Sequence, residues 1–344
     1  MSSSETSEQP PYASSPFDDP DADVIIRTSD RTDFRLYKVV LSIASPVFKD
    51  MLPIPQPDHN GSPHELRDGT PVVNVAEDKK TMDHVLRIIY PVEEPRFTSL
   101  EEVATALQVC GKYMMRKAQQ FSAKHLLPYM EKEPLRVYAV ACRFQLFDVA
   151  REAAKCSLQV PLLPLASPMP SELDHLPAFR FFFELSSYRQ KCEKAALGIF
   201  TNWRWTCETS ISGYVWFASQ NSHSSDCIAG RTESFNNSRV VLARRWWEEY
   251  YEAAKLAVQT RIAGAAVQEP ELLDPFFKKA SACATCRASV NGHLRIFSRN
   301  LAQRIDNAVA KYLSTVKTTL AVTGCQRCWR CRSSDDSECV CEYR

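Results

Sequence analysis

FRLYKVVLSIASPVFKDM, residues 34–51, changes its period part-way through. Phe34 and Leu36 alternate with polar neighbours as a strand does, and Val40, Leu41, Ala44, Phe48 and Met51 then recur every three to four residues, the spacing of one helical face. Pro46 falls where a helix is entered or kinked. The stretch therefore predicts a strand running into a helix, and it carries no recognisable catalytic group. Before it, residues 23–28 (DVIIRT) and 33–36 read as two hairpin strands separated by a polar turn. After it, residues 52–69 form a polar loop with four prolines and two glycines, followed by a third strand at 71–75. Two helices come next. Met82, Val85, Leu86 and Ile89 share a face that Pro91 stops, and Ser99 stands three residues before Glu102 as in a capping box, opening a stripe of Val103, Leu107, Cys110 and Met114.

From residue 134 onward the pattern is helical. Pro134 suits a first helical position, with Leu135, Tyr138, Ala139 and Cys142 on one face, then Val149, Ala153 and Leu158 on the next element. A proline-rich joint covers 161–177. Beyond it, Leu176, Phe179, Phe183 and Tyr188 predict a buried helix, Val240, Ala243, Trp247, Tyr251, Ala254 and Val258 a long stripe, and Val290, Leu294, Phe297, Leu301, Ile305 and Ala308 the last helix.

This order resembles a BTB/POZ domain over roughly residues 20–130. The residues that carry the resemblance are ADVIIRT (22–28), the stretch 34–51, PVVNVAED (71–78), TMDHVLRIIYP (81–91) and SLEEVATALQVCGKYMM (99–115). It looks most like the fungal branch of that family, through LPIPQP (52–57), IIYPVEEP (88–95), EPLRVYAVACRFQLFDVAREAA (133–154) and FFFELSSYRQKCEKAA (181–196). The resemblance implies an α+β fold, a small sheet with surrounding helices, followed by a mostly α-helical C-terminal region. It also implies a non-enzymatic module that self-associates as a homodimer and recruits other proteins, among them cullin-type ubiquitin ligases and transcriptional corepressors. Family pattern further implies that Asp23, opening the first strand, and Lys38, opening the following helix, form a charged pocket near a dimer seam. Tyr37 stands where the family often has His, and Phe34 and Tyr37 join Asp23 and Lys38 as expected interface residues. Burial in the chain's own core would account for the apolar residues of 34–51 equally well.

At 344 residues, the chain is long enough for two domains. The expected boundaries are a disordered acidic, Ser- and Pro-rich leader at 1–19, the BTB/POZ domain at 20–130, a helical extension at 131–200, a helical region at 201–320 and a Cys-rich tail at 321–344. The low-hydrophobicity composition extends through residue 22, with five acidic residues and no Lys or Arg. Hydrophobic residues at 44% and charged residues at 24% are the proportions of a soluble protein, and no apolar run is long enough to span a bilayer. A net charge of +1 supplies no global field for nucleic acid or anionic lipid. Thirteen cysteines behind an N-terminus without signal-peptide regions predict free thiols in a reducing compartment, cytoplasmic or nuclear.

The nine glycines are too widely spaced for a phosphate-cradling loop or a nucleophile elbow, and His64-Glu65 is followed by Asp68 where a zinc protease helix needs its second His. The remaining chemical signal is cysteine. Cys283-Ala-Thr-Cys286 has the two-residue gap that lets both sulfurs reach one tetrahedral zinc, just before a helix whose N-terminal dipole favours thiolate. His223 and Cys227, in an irregular segment at 206–238, are the matching half of a Cys3His site. The same four residues also read as free, half-buried thiols and a surface His. Cys325, Cys328, Cys331, Cys339 and Cys341 crowd a tail that reads as disordered or metal-binding. The alternative function is a zinc-dependent nucleic-acid-binding transcriptional regulator dimerised by the BTB domain, against which stands the absence of a clustered Arg/Lys stripe.

Overall fold

A computed structural model describes residues 9–54, 65–160, 178–201, 205, 213–217, 223–225, 227, 229–235 and 239–313. The chain divides into two compact units, residues 1–150 and 151–344. The Cys-rich tail lies outside the described residues, as do residues 1–8 and the joint at 161–177.

In the first unit, β1 (Val24–Arg27) and β2 (Asp33–Leu36) pair antiparallel, and β1 also pairs parallel with β4 (Thr70–Asn74), which carries the two-residue β3 (Leu66–Arg67) on its far side. A parallel neighbour needs a crossover. It contains α1 (Lys38–Ala44) and α2 (Pro46–Met51), so the apolar face read as one helix is two. The break has a clear cause: Pro46 takes the first position of α2, and Ser45 turns extended so that its buried hydroxyl accepts the Phe48 N–H at 3.0 Å while donating to the Tyr113 carbonyl at 2.6 Å. Phe48 then stacks on the Tyr113 ring, centroids 4.4 Å apart. Leu41 and Phe48 enter a core with Val24, Ile26, Phe34, Leu36 and Val73.

The helices α3 (Lys79–Ile89), α4 (Leu100–Lys112) and α5 (Arg116–Lys124) follow. Met82, Val85 and Leu86 of α3 are buried as their period requires. Ser99 caps α4 by accepting the Glu102 N–H at 3.3 Å, but the reciprocal half is displaced by one residue, Glu102 accepting from the Thr98 N–H at 2.7 Å. Burial raises the Glu102 pKa, yet the bonds from Lys80 and Thr98 outweigh it and lower the carboxyl to about 2. Met114 leaves the expected stripe: α4 ends before it, its φ is +54°, and it is exposed while Met115 turns inward. Two further helices, α6 (Pro134–Arg143) and α7 (Phe147–Cys156), carry the chain across the division at 150, with α6 in the first unit.

The expected disordered leader is corrected over residues 9–22. Tyr12 bridges to Asp33 in parallel, the Ala13 N–H donates to the Asp33 carbonyl at 2.8 Å, the Arg35 N–H to the Phe17 carbonyl at 2.9 Å, and Ala13 and Phe17 are core residues. The segment covers the β2 edge, satisfying backbone groups that an open edge would leave unpaired. Its few apolar side chains suffice because each enters an existing core.

The second unit consists of α8 (Ala178–Thr201), a hairpin of β5 (Ala229–Phe235) and β6 (Arg239–Arg244), α9 (Arg245–Thr260), α10 (Pro270–Ala280) and α11 (Ala284–Ala310). The hairpin replaces part of the segment read as irregular, and it removes Val240 and Ala243 from the stripe assigned to α9. Leu185, Tyr188, Cys192 and Ala196 form the buried line of α8, whereas Phe183 is 59% exposed; Leu176 and the side chain of Phe179 lie outside the described residues. In α11, Val290, Leu294, Phe297, Leu301 and Ile305 are buried as expected. Gly264 lets a turn touch α11: a Cβ there would sit 2.4 Å from the Ala302 carbonyl oxygen.

Candidate functional site

Two places carry chemistry or surface that the fold alone does not consume. The first is assembled on α11. Cys283 is its N-cap residue and Cys286 lies in its first turn, both buried. A one-turn segment brings the other half, with the Cys227 N–H donating to the Ser224 carbonyl at 3.0 Å and the buried Arg244 guanidinium holding the Cys227 carbonyl at 3.0 Å. Aromatic stacking fixes the chain just before it. Trp216 lies parallel to Trp247 of α9 at 5.8 Å and edge-on to Phe297 of α11 at 5.5 Å, and His293 Nδ1 accepts the Val215 N–H at 3.0 Å.

His223 Nδ1 consequently lies 3.6 Å from Cys227 Sγ, 3.5 Å from Cys283 Sγ and 3.4 Å from Cys286 Sγ, and the Cys227 and Cys286 sulfurs are 3.7 Å apart. All four ligand atoms lie within 4.8 Å of one another, and this cluster could hold a metal ion. A tetrahedral zinc with Zn–S of about 2.3 Å and Zn–N of about 2.0–2.1 Å has ligand edges of roughly 3.5–3.6 Å for N–S and 3.8 Å for S–S. The observed spacings agree with those edges. Burial pushes Cys286 up to about 12 and raises Cys227 as well; Cys283 is also penalised by burial, but bonds from the Cys286 and Ser224 backbone, the Ser224 side chain and His223 bring it down to about 5. One sulfur is thus a ready thiolate, and a cation must displace protons from the other two. A cavity of about 160 Å³, lined in part by Cys227, Cys283, Arg245 and Lys279, adjoins the cluster.

The second place is α1. Leu41 points into the core, whereas Val39 and Ile43, four residues apart on the other side, are 62% and 83% exposed. Around the start of this helix the expected interface residues take different roles. Tyr37 donates its hydroxyl to Asp19 at 2.6 Å, which lowers the Asp19 pKa, and its N–H donates to the Tyr90 hydroxyl at 2.9 Å. Asp23 accepts the backbone N–H of Lys38 at 2.7 Å. The carboxylate therefore caps α1, and among the described residues no ion pair joins it to the Lys38 ammonium, which corrects the expected charged pocket. Phe34 is also corrected: its side chain is wholly buried, 5.7 Å from the Phe17 ring, and presents nothing to a partner.

The family model described as BTB/POZ domain matches residues 18–128. Those residues are a BTB/POZ domain. A comparison of the chain with curated proteins finds no match. The BTB match contains α1 and its exposed pair but ends before the metal-ligand cluster, which belongs to the second unit. Among the described residues, no helix is long and apolar enough to cross a membrane.

Sequence reasoning brought the four cluster residues together correctly and missed Val39 and Ile43 as the outward face of the BTB helix. Their i, i+4 spacing was visible, but a run apolar on both sides does not declare which side is the core. The capping role of Asp23 gives a direct expectation for the BTB unit. Asp23→Ala should cost about 1 kcal/mol, the value of a lost helix cap, while Lys38→Gln stays within about 0.5 kcal/mol, because the donor is a backbone N–H that survives the change. The double variant, followed by urea unfolding, should be additive within about 0.5 kcal/mol. Coupling above 1 kcal/mol would restore the charge pair.

Proposed function

We propose that the chain is a non-enzymatic interaction protein that forms a homodimer through its BTB/POZ domain and recruits partner proteins, acting in the cytoplasm or nucleus as an adaptor for a cullin-type ubiquitin ligase or a regulatory complex. The observation that supports this most is the exposed Val39 and Ile43 pair on α1, directly behind the core residue Leu41. Removing two such side chains from water contributes about 1.5–3 kcal/mol each when burial is complete, and a twofold interface counts every contact twice. Light scattering of the full chain at tens of micromolar should give a dimer mass, and the Val39→Glu, Ile43→Glu variant should give a monomer with unchanged circular dichroism. A monomeric wild-type chain would leave the domain as a one-to-one adaptor.

The second element of the reading is a structural zinc held by His223, Cys227, Cys283 and Cys286. The four ligand separations given above support it, since each falls within about 0.2 Å of a tetrahedral edge. Three sulfurs and one imidazole nitrogen form a closed donor set of the structural kind, in which zinc supplies cross-linking rather than a reactive water. Metal analysis of freshly purified protein should return one zinc per chain.

A further inference from the structure

Zinc bound by cysteine is stable in a reducing medium, but its thiolates remain oxidisable wherever a small oxidant can reach them. In this centre two of the three cysteines, Cys227 and Cys283, line the adjoining cavity of about 160 Å³, room for a molecule of peroxide size, whereas Cys286 is fully buried and does not line it. Arg245, Lys279 and Glu249 line the same cavity, Lys279 paired to Glu249 at 2.5 Å, and the Arg245 guanidinium there favours the hydroxide leaving a cleaved peroxide. Of the two cysteines that line the cavity, Cys227 holds its Sγ 3.7 Å from that of Cys286.

We propose that the Cys3His centre is a peroxide-sensitive latch in which oxidation joins Cys227 to Cys286 and releases the metal. The proposal rests on the zinc reading above and names its regulation. In the first step the Cys227 thiolate attacks one oxygen of hydrogen peroxide, the O–O bond breaks, and a sulfenic acid and hydroxide form. In the second the Cys286 thiolate attacks the Cys227 sulfur, the S–O bond breaks, and a second hydroxide leaves as the disulfide closes. Two thiolates lose two electrons, and one peroxide becomes two hydroxides. Side-chain rotation must shorten the sulfur separation from 3.7 Å to about 2.05 Å. Zinc is left with His223 and Cys283, two donors where a structural site needs four. The chain around Cys227 then stays tied to α11 covalently, while His223 is freed from it.

The test uses the full-length, zinc-loaded protein. Hydrogen peroxide is added in molar excess, released zinc is followed with a chromogenic chelator, and disulfides are mapped by mass spectrometry after alkylation. The expected result is one zinc released per Cys227–Cys286 disulfide, with zinc rebound after dithiothreitol and added zinc sulfate. A Cys227→His variant keeps a fourth donor but has no sulfur to pair with Cys286, so it should retain its metal under the same treatment. Zinc retained by the wild-type chain, or release accompanied by a different disulfide, would overturn the latch while leaving the zinc site standing. Release from Cys227→His as fast as from wild type would do the same. Freshly purified wild-type protein that holds no zinc would remove the site and the latch together.

Discussion

Replacing Cys283 and Cys286 together by Ser should yield a chain that purifies without zinc and whose C-terminal unit melts about 10 °C or more below wild type. Only His223 and Cys227 then remain as donors, and two donors do not hold a structural zinc. Structural zinc contributes on the order of 10 kcal/mol to the folding of small zinc domains, and each kcal/mol moves the melting point of a unit this size by roughly 2–4 °C. The C-terminal unit has an aromatic core of its own around Trp216, Trp247 and Phe297, so the loss should be large but short of complete unfolding. Tryptophan fluorescence isolates the effect, because all six tryptophans, at 203, 205, 216, 246, 247 and 329, lie in this unit. Cys192→Ser, a buried thiol of α8 outside the cluster, is the control for placing a hydroxyl in the interior. An unchanged melting point in a metal-free double variant would show that the four residues are ordinary buried side chains. Affinity should also fall as the pH falls, since Cys227 and Cys286, both raised by burial, must lose protons to bind.

The largest effect in the BTB unit should come from Asp33→Ala. Asp33 is wholly buried, and its carboxylate takes a forked pair of bonds from Arg27, at 2.6 Å to Nε and 2.9 Å to Nη2, while also accepting from Arg67. Glu65 faces Arg27 from the other side, so two guanidiniums balance two carboxylates. Arg67 also reaches the Pro10 carbonyl at 2.5 Å, and its guanidinium lies 3.7 Å from the Tyr12 ring centre, which ties the network to the N-terminal segment on the sheet edge. Removing Asp33 leaves two partly buried cations against one carboxylate, a loss of about 3 kcal/mol, the lower end for a broken buried pair. Hydrogen exchange of the β1 and β2 peptides should accelerate by about a hundredfold or more, because every 1.36 kcal/mol is tenfold. The segment 9–22 should lose protection with them. A change below about threefold would mean that water solvates the two arginines.

Much of this architecture is written locally. The strands around Ile25 and Phe34, the faces of α3 and α11 and the cap at Ser99 follow from period and cap chemistry within a few residues. Where local signals compete, the reading slips. Val40 to Met51 keeps a helical period across Pro46, yet the Ser45 cap divides it because a proline at a first helical position supplies no backbone N–H to continue the ladder. The β5–β6 hairpin was legible in part, since Arg239–Arg244 is rich in branched residues and Asn236-Asn237-Ser238 precedes it, but Ala243 also fits the helical spacing of the tryptophan-rich run.

What the sequence determined by itself is the order of elements that makes a BTB/POZ domain, the helical character of the remainder and the identity of four metal-capable residues, because period, caps and ligand spacing all act over a few positions. What only the tertiary structure decided is where distant groups meet. His223 reaches Cys286 across 63 positions at 3.4 Å, Asp33 collects Arg27 and Arg67 beneath a segment that composition alone would leave unfolded, and Val39 and Ile43 face outward because Leu41 claims the core. The physical reason is common to all three: burial and pairing depend on which surfaces the closed chain brings together, and a linear period names a face without saying what will cover it.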